Sequence, residues 1–198
     1  MPTLVVPTVA VGSLKSQEQP TLDAGDGVRL RPWVTADAPA VMQAYQDQEI
    51  QRWHVRRADS VGEAEAWITG WRDGWPAETE ASWAVVDARA DALLGRAACK
   101  ALDFASGTAH VAYWTVPAAR GKGICPRALE TMVSWAFTAG FHRLDLDHAV
   151  GNAASCRVAE KTGFAAEGIR RSVWLQADGR HDAHVHARFR SMETGADR

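Results

Sequence analysis

Apolar residues along this chain follow two periods, and the switches between them mark the elements. Val28-Arg-Leu-Arg31 alternates apolar with basic, which predicts a first strand just after a Gly25-Asp-Gly27 turn. Thr35 then reads as the cap of a helix carrying Ala36, Pro39, Val41, Met42 and Tyr45 at helical spacing. Residues 47–58 are polar and irregular and are expected to form a loop. A second helix is predicted from Asp59 or Ser60, with Glu63 as a capping-box carboxylate. It would set Trp67, Trp71 and Trp75 at intervals of four on one face, a core or groove face for most of them. Residues 82–86, 93–102 and 109–116 read as strands divided by polar turns.

The period then returns to helical. Ala128, Leu129, Met132, Val133, Ala136 and Phe137 make one stripe on a helix over residues 121–139, stopped by Gly140. Pro126 lies deep for a helix start, so a loosened first turn is expected there. Residues 142–150 alternate again, with Leu144 and Leu146 on one side and Asp145 and Asp147 on the other. Asn152 caps a short helix that ends at Gly163. Two last strands follow, over residues 165–175 and 183–189, with Asp178-Gly179 in the hairpin turn. Residues 1–25 show no sustained period and read as an extension, residues 26–190 as a single domain, and residues 191–198 as a polar tail. By pattern alone the class is mixed α and β.

Composition narrows this picture. A chain of 198 residues buries the core of one domain. A net charge of −2 argues against nucleic acid as a partner, and no apolar run has membrane-spanning length. Cys99, Cys125 and Cys156 have neither disulfide nor metal spacing, which points to the reducing cytoplasm. Among seven histidines, His184 and His186 would share a strand face near His181. With no fourth ligand or acidic partner in the pattern, the expectation is a polar strand face and no metal.

The chemistry concentrates where the strand over residues 109–116 feeds the next helix. Arg120-Gly-Lys-Gly123 sits at the positive end of the helix dipole, where amide donors lack intrahelical partners. Glycines there admit a ligand close to the main chain, so the turn suits an anion such as a pyrophosphate. It lacks the third glycine of a dinucleotide fingerprint and the Lys-Ser/Thr of a P-loop.

Together with Asn152-Ala-Ala-Ser155 and Glu160-Lys-Thr-Gly-Phe164, this turn resembles the GNAT superfamily of acyl-CoA-dependent N-acyltransferases. Tyr113-Trp114 and the Asn-x-x-Ser start are most similar to the branch that acetylates ribosomal-protein N-termini. The resemblance covers residues 28–189. It implies an α+β fold, with a mixed, mostly antiparallel central sheet flanked by helices. It also implies transfer of an acetyl or larger acyl group from acyl-CoA to a primary amine of a peptide, a protein or a small molecule such as an antibiotic. Val116, Arg120, Gly121, Lys122, Gly123, Ile124, Asn152 and Ser155 would hold the acyl-CoA co-substrate. Trp53, His54, Tyr113 and Trp71 would border the acceptor. Many relatives protonate the departing thiolate with a Tyr, but the matching position here is Ala159, so Ser155 is expected to serve the sulfur. His110 stands where relatives carry an acidic residue and is the expected base. Cys156 offers an acyl-cysteine route, against which packing is the simpler reading. A homodimer is expected of such an enzyme, and no metal is. The competing reading is a CoA-binding regulatory protein of the same shape that has lost its chemistry.

Overall fold

In the computed structural model, residues 4–190 are described. Eight strands form one sheet in the order β1-β2-β3-β4-β5-β6-β8-β7. These are β1 (Leu22–Asp23), β2 (Val28–Arg31), β3 (Glu80–Asp87), β4 (Leu93–Asp103), β5 (Thr108–Thr115), β6 (Arg143–Ala149), β7 (Ala165–Gln176) and β8 (Gly179–Phe189). Every pairing is antiparallel except β5 with β6. That single parallel pair requires a crossover, which helix α4 (Ile124–Thr138) supplies. The α+β architecture follows the sequence reading.

Two cores lie on the two faces of the sheet. On one face α4 and α5 (Ala153–Lys161) bury Leu129, Met132, Val133 and Ala159 against Val111, Leu144 and Leu146. Trp75, Trp83 and Trp135 stack into this core. On the other face α1 (Ala38–Ala44), α2 (Gln48–His54) and α3 (Val61–Asp73) enclose Trp33, Tyr45, Trp71 and Trp114. The three tryptophans expected on one helical face therefore separate. Helix α3 ends at Asp73, so Trp75 lies past its end and turns to the opposite core.

Several local expectations are corrected. Residues 48–54 are helical, because the Asp47 carboxylate accepts from the Ile50 amide at 3.0 Å and caps α2. Thr35 does not cap its helix. Asp37 stands in the cap position without a side-chain bond to the helix, its carboxylate accepting from the Val34 amide and held by Arg31 at 2.8 Å. Helix α4 begins at Ile124, which puts Pro126 in the first turn, where an amide has no intrahelical partner to lose. The expected loosening has no cause there.

The extension is stitched to the domain. Val9 and Leu14 are buried in the α4-side core. The Thr8 and Val9 amides donate to the Ala105 and Phe104 carbonyls. The Glu78 carboxylate accepts from the amides of Gly12 and Leu14. The polar tail expected over residues 191–198 lies outside the described residues.

Candidate active site

The sheet opens in its middle. Strands β5 and β6 pair only at Thr108–Arg143, Ala109–Leu144 and His110–Asp145. Beyond those positions each strand continues without the other, leaving a slot between residues 111–115 and 146–149. Strand alternation decides what faces it. Val116 donates its amide to the Leu94 carbonyl, and Trp114, Ala112 and His110 stand in register with Arg96, Ala98 and Lys100. The main-chain groups of Val111, Tyr113 and Thr115 therefore point the other way, into the slot.

At the mouth of the slot lies the turn singled out by its composition. Gly121 and Gly123 adopt φ of +75° and +72°, and a Cβ built on either would meet nothing within 4 Å. Open space thus lies over the main chain. The amides of residues 121–125 donate to no main-chain carbonyl among the described residues. Five adjacent donors at a helix N-terminus form an anion cradle. A groove of about 490 Å³ runs beside it, lined by Val116, Ala119, Lys122, Ile124 and Arg127 among others. Arg127 was not anticipated, and its guanidinium is paired with Asp26 of the same groove at 3.0 Å. Its position four residues after Gly123, on the same helical face, was the available signal.

Two expected anchors act differently. The guanidinium of Arg120 is paired with Asp47 and donates from Nε to the Thr115 carbonyl at 3.2 Å. It therefore ties the turn to the cap of α2. Val116 has both main-chain groups engaged, its amide with Leu94 and its carbonyl with the Ala119 amide. Only its side chain is offered to the groove.

Across the slot, Asn152 caps α5 by accepting from the Ser155 amide at 3.0 Å. Ser155 is buried, and its Oγ lies 2.7 Å from the Tyr113 hydroxyl. Sequence reading had assigned these two residues to separate tasks. Tyr113 shares its face of β5 with Val111, so its ring belongs to the α4–α5 side. Burial raises the pKa of its phenol. Ala159, in the position of the absent tyrosine, is fully buried.

The opposite side of the slot carries the other candidates. His54 lies against the Tyr113 main chain, and burial followed by the charge of Arg96 pushes its pKa down to about 4. Trp53 donates from Nε1 to Glu49 and approaches Gly151, on the loop between β6 and α5. His110 is exposed and cross-strand from Lys100. Being an odd number of residues from Tyr113, it occupies the other face of β5. Trp71 is a core residue, 4.7 Å from the Trp33 ring and covered by Arg96, so it does not border an acceptor space.

The thiols do not resemble activated nucleophiles. Burial pushes Cys125 up to about 12, and burial followed by Glu160 raises Cys156. The histidine reading changes more. His181 is bonded to Asp178 in the β7–β8 turn, but His184 and His186 do share a face. The donors missing from the local pattern come from elsewhere in the chain, as His148 and Cys156.

Comparison with known proteins identifies the family. The family model described as an acetyltransferase (GNAT) domain matches residues 28–165. The Bacillus subtilis protein described as uncharacterized N-acetyltransferase YoaA is 24% identical over 170 residues, covering 85% of this chain and 96% of its own length. A solved acetyltransferase from Salmonella typhimurium, described as modifying the N-terminal serine of ribosomal protein L7/L12, superposes with a TM-score of 0.79. It is 19% identical, over 87% of this chain and 100% of that one. Mycobacterium smegmatis RimJ, solved with a CoA disulfide, gives 0.78 at 23% identity, over 86% of this chain and 88% of that one.

Proposed function

This chain belongs to the GNAT acetyltransferase family and is an acyl-CoA-dependent N-acetyltransferase, and from that membership we propose how its residues divide the reaction and which amine it serves. The donor enters from the α4–α5 side. Its pyrophosphate lies on the free amides of residues 121–125, with Lys122 adding charge from the groove, where Arg127 is already paired with Asp26. The pantetheine arm follows the unpaired edge of β5, where Tyr113 and Thr115 present their amides, and Asn152 turns its side-chain NH₂ toward it. The thioester then stops inside the slot, beside the Tyr113–Ser155 pair.

The amine arrives through the same slot from the α2 side, past Trp53 and His54. Attack on the thioester carbonyl places negative charge on oxygen, which the main-chain donors of the β5 edge meet. Collapse expels a thiolate. Ser155, with Tyr113 behind it, hydrogen-bonds that sulfur, and the proton lost by the amine ends on it. His54 is held neutral, and its depressed pKa makes it a weak base. His110 is exposed and receives protons at the rim of the acceptor side.

Such a site suits an amine that needs little help to lose its proton. An α-amine with a pKa of about 7.7–8.0 is partly neutral at physiological pH, whereas a lysine near about 10.4 is almost wholly charged. We therefore propose a peptide or protein N-terminus as acceptor. The similarity to acetyltransferases of ribosomal proteins supports the same choice. A cytoplasmic location goes with this proposal, consistent with three free cysteines.

The observation that carries the reading is the row of unpaired amides at residues 121–125 beside the open β5 edge. The test is thiol release from acetyl-CoA with two versions of one lysine-containing peptide, one with a free N-terminus and one blocked. Release with the free peptide alone is expected. Equal release from both would overturn the choice of acceptor. CoA binding without release from either, or from small amines, would instead favour the regulatory reading.

A further inference from the structure

A second constellation lies in the same half of the molecule, and acyl transfer has no use for it. His148 on β6 and His184 on β8 are cross-strand partners, and His186 follows two residues later on the same face of β8. Helix α5 crosses that face and brings Cys156 down onto it. One donor atom from each of His148, His184, His186 and Cys156 lies within 4.8 Å of all the others. The His148 and His186 rings stack with centroids 5.1 Å apart, and their Nε2 atoms are 3.2 Å apart.

Hydrogen bonding within the group is incomplete. His148 Nδ1 lies 2.9 Å from the Ala149 carbonyl, which accepts its N–H and leaves Nε2 with a lone pair aimed at the other rings. His186 Nδ1 and His184 Nδ1 are both buried without a partner. Buried polar nitrogens are ordinarily satisfied, so the unmatched His184 Nδ1 points to a missing member, while His186 meets the cluster through Nε2, beside the His148 ring. Carboxylates take little part. Glu160 Oε1 is 3.7 Å from Cys156 Sγ, and Asp147 faces the other side of β6, where Arg170 pairs with it.

We propose that His148, His184, His186 and Cys156 bind one zinc ion, which clamps helix α5 to the β6–β8 pair. The donor set selects the metal. Three imidazoles and a thiolate suit zinc and its tetrahedral relatives, and they disfavour magnesium and calcium, which require oxygen. Zinc–nitrogen and zinc–sulfur bonds of about 2.0–2.3 Å place tetrahedral donors roughly 3.3–3.6 Å apart. The His148–His186 pair already has that spacing, and the widest pair closes by about an ångström. On binding, Cys156 gives its proton to solvent and ligates as thiolate. Four protein ligands fill the coordination sphere, so the ion is structural and offers no open position for a substrate. Its site is nonetheless one residue from Ser155, and it holds the first turn of α5 against the sheet opposite Tyr113.

Cobalt tests this directly, because a tetrahedral cobalt–thiolate site absorbs in the near ultraviolet and, more strongly than an octahedral one, in the visible. Untagged full-length protein is stripped with chelator, returned to a phosphine reductant and titrated with Co²⁺. One equivalent is expected to produce both sets of bands, and Zn²⁺ should abolish them stoichiometrically and raise the melting temperature. Cys156→Ser should remove the near-ultraviolet band, and His184→Gln should weaken affinity at least tenfold. Both positions are partly exposed, so the metal-free variants should melt as metal-free wild type does. Absence of a stoichiometric tetrahedral spectrum in the wild type overturns the proposal. So does a spectrum that neither substitution alters, since that metal would be bound elsewhere.

Discussion

Tyr113→Phe removes one oxygen from the slot and leaves the ring in place. That oxygen is 2.7 Å from Ser155 Oγ, and the wild-type phenol is buried with its pKa raised. An ordinary thiol has a pKa of about 8.5, below that of an ordinary phenol at about 10, and burial widens the gap. The pair therefore cannot end the reaction by surrendering a proton to the sulfur. It acts by donating hydrogen bonds to the forming thiolate, with Tyr113 bonded to Ser155 so that the serine proton is free to face the sulfur. A hydrogen bond to a charged acceptor contributes about 1.5–3 kcal/mol. Losing it in the transition state alone lowers kcat by roughly 10–150-fold, which is the expectation for Ser155→Ala. Tyr113→Phe misdirects the serine rather than deleting it and should lose about tenfold. If the two hydroxyls act as one unit, the double variant loses scarcely more than Ser155→Ala, with a coupling of about 0.5–3 kcal/mol. The assay is thiol release at saturating acetyl-CoA and acceptor, with calorimetry checking that CoA affinity stays within twofold. Strictly multiplicative losses, or a Tyr113→Phe enzyme with wild-type kcat, would refute the paired arrangement.

Three further outcomes are expected. Gly121→Val and Gly123→Val cover the open amides and force a branched residue to positive φ. Each should abolish CoA binding and cost about 1–2 kcal/mol of stability, and calorimetry showing unchanged affinity would remove the cradle from the site. His54 has its folded pKa depressed from 6.5 to about 4, so the unfolded chain binds the proton first and stability falls as pH drops below about 6.5, levelling near 4. The loss is at most roughly 3 kcal/mol, and denaturant melts of wild type and His54→Gln between pH 8 and 4.5 should diverge by that amount if the burial is as described. His110→Ala should depress kcat/KM for an α-amine acceptor and change its pH dependence; superimposable pH profiles for the two enzymes would show that His110 handles no proton of the reaction.

What could be read from the chain, and what could not, divides along a physical line. Groups that act through their own main chain were legible. Gly121 and Gly123 declare an uncovered turn wherever the sheet places it, and Asn152 caps the helix that follows it whatever packs around it. The longer strands were legible from their apolar runs and alternation, whereas β1, only two residues long, lies in the stretch expected to be an extension. Helix α2 was missed although Asp47 and Glu49 are ordinary start signals, because it buries only Ile50 and so shows no apolar stripe. Side-chain partnerships were missed for a different reason. Tyr113 meets Ser155 across 42 residues, and Arg120 reaches back 73 residues to Asp47. Neither meeting has a local signature, because both depend on where β5 stops pairing with β6. The His/Cys cluster shows the principle most sharply. His184 and His186 announced a shared face, but their value as ligands depends on the register that sets His148 opposite His184. It depends equally on the cap at Asn152, which fixes the turn of α5 that presents Cys156. A one-residue slip of β8 against β6 would turn both histidines to the other face and leave Cys156 without its set. The same slip would not disturb the amides at residues 121–125. Cradle and cluster are therefore separable by mutation, and loss of zinc should leave CoA affinity in place while loosening the helix that carries Ser155.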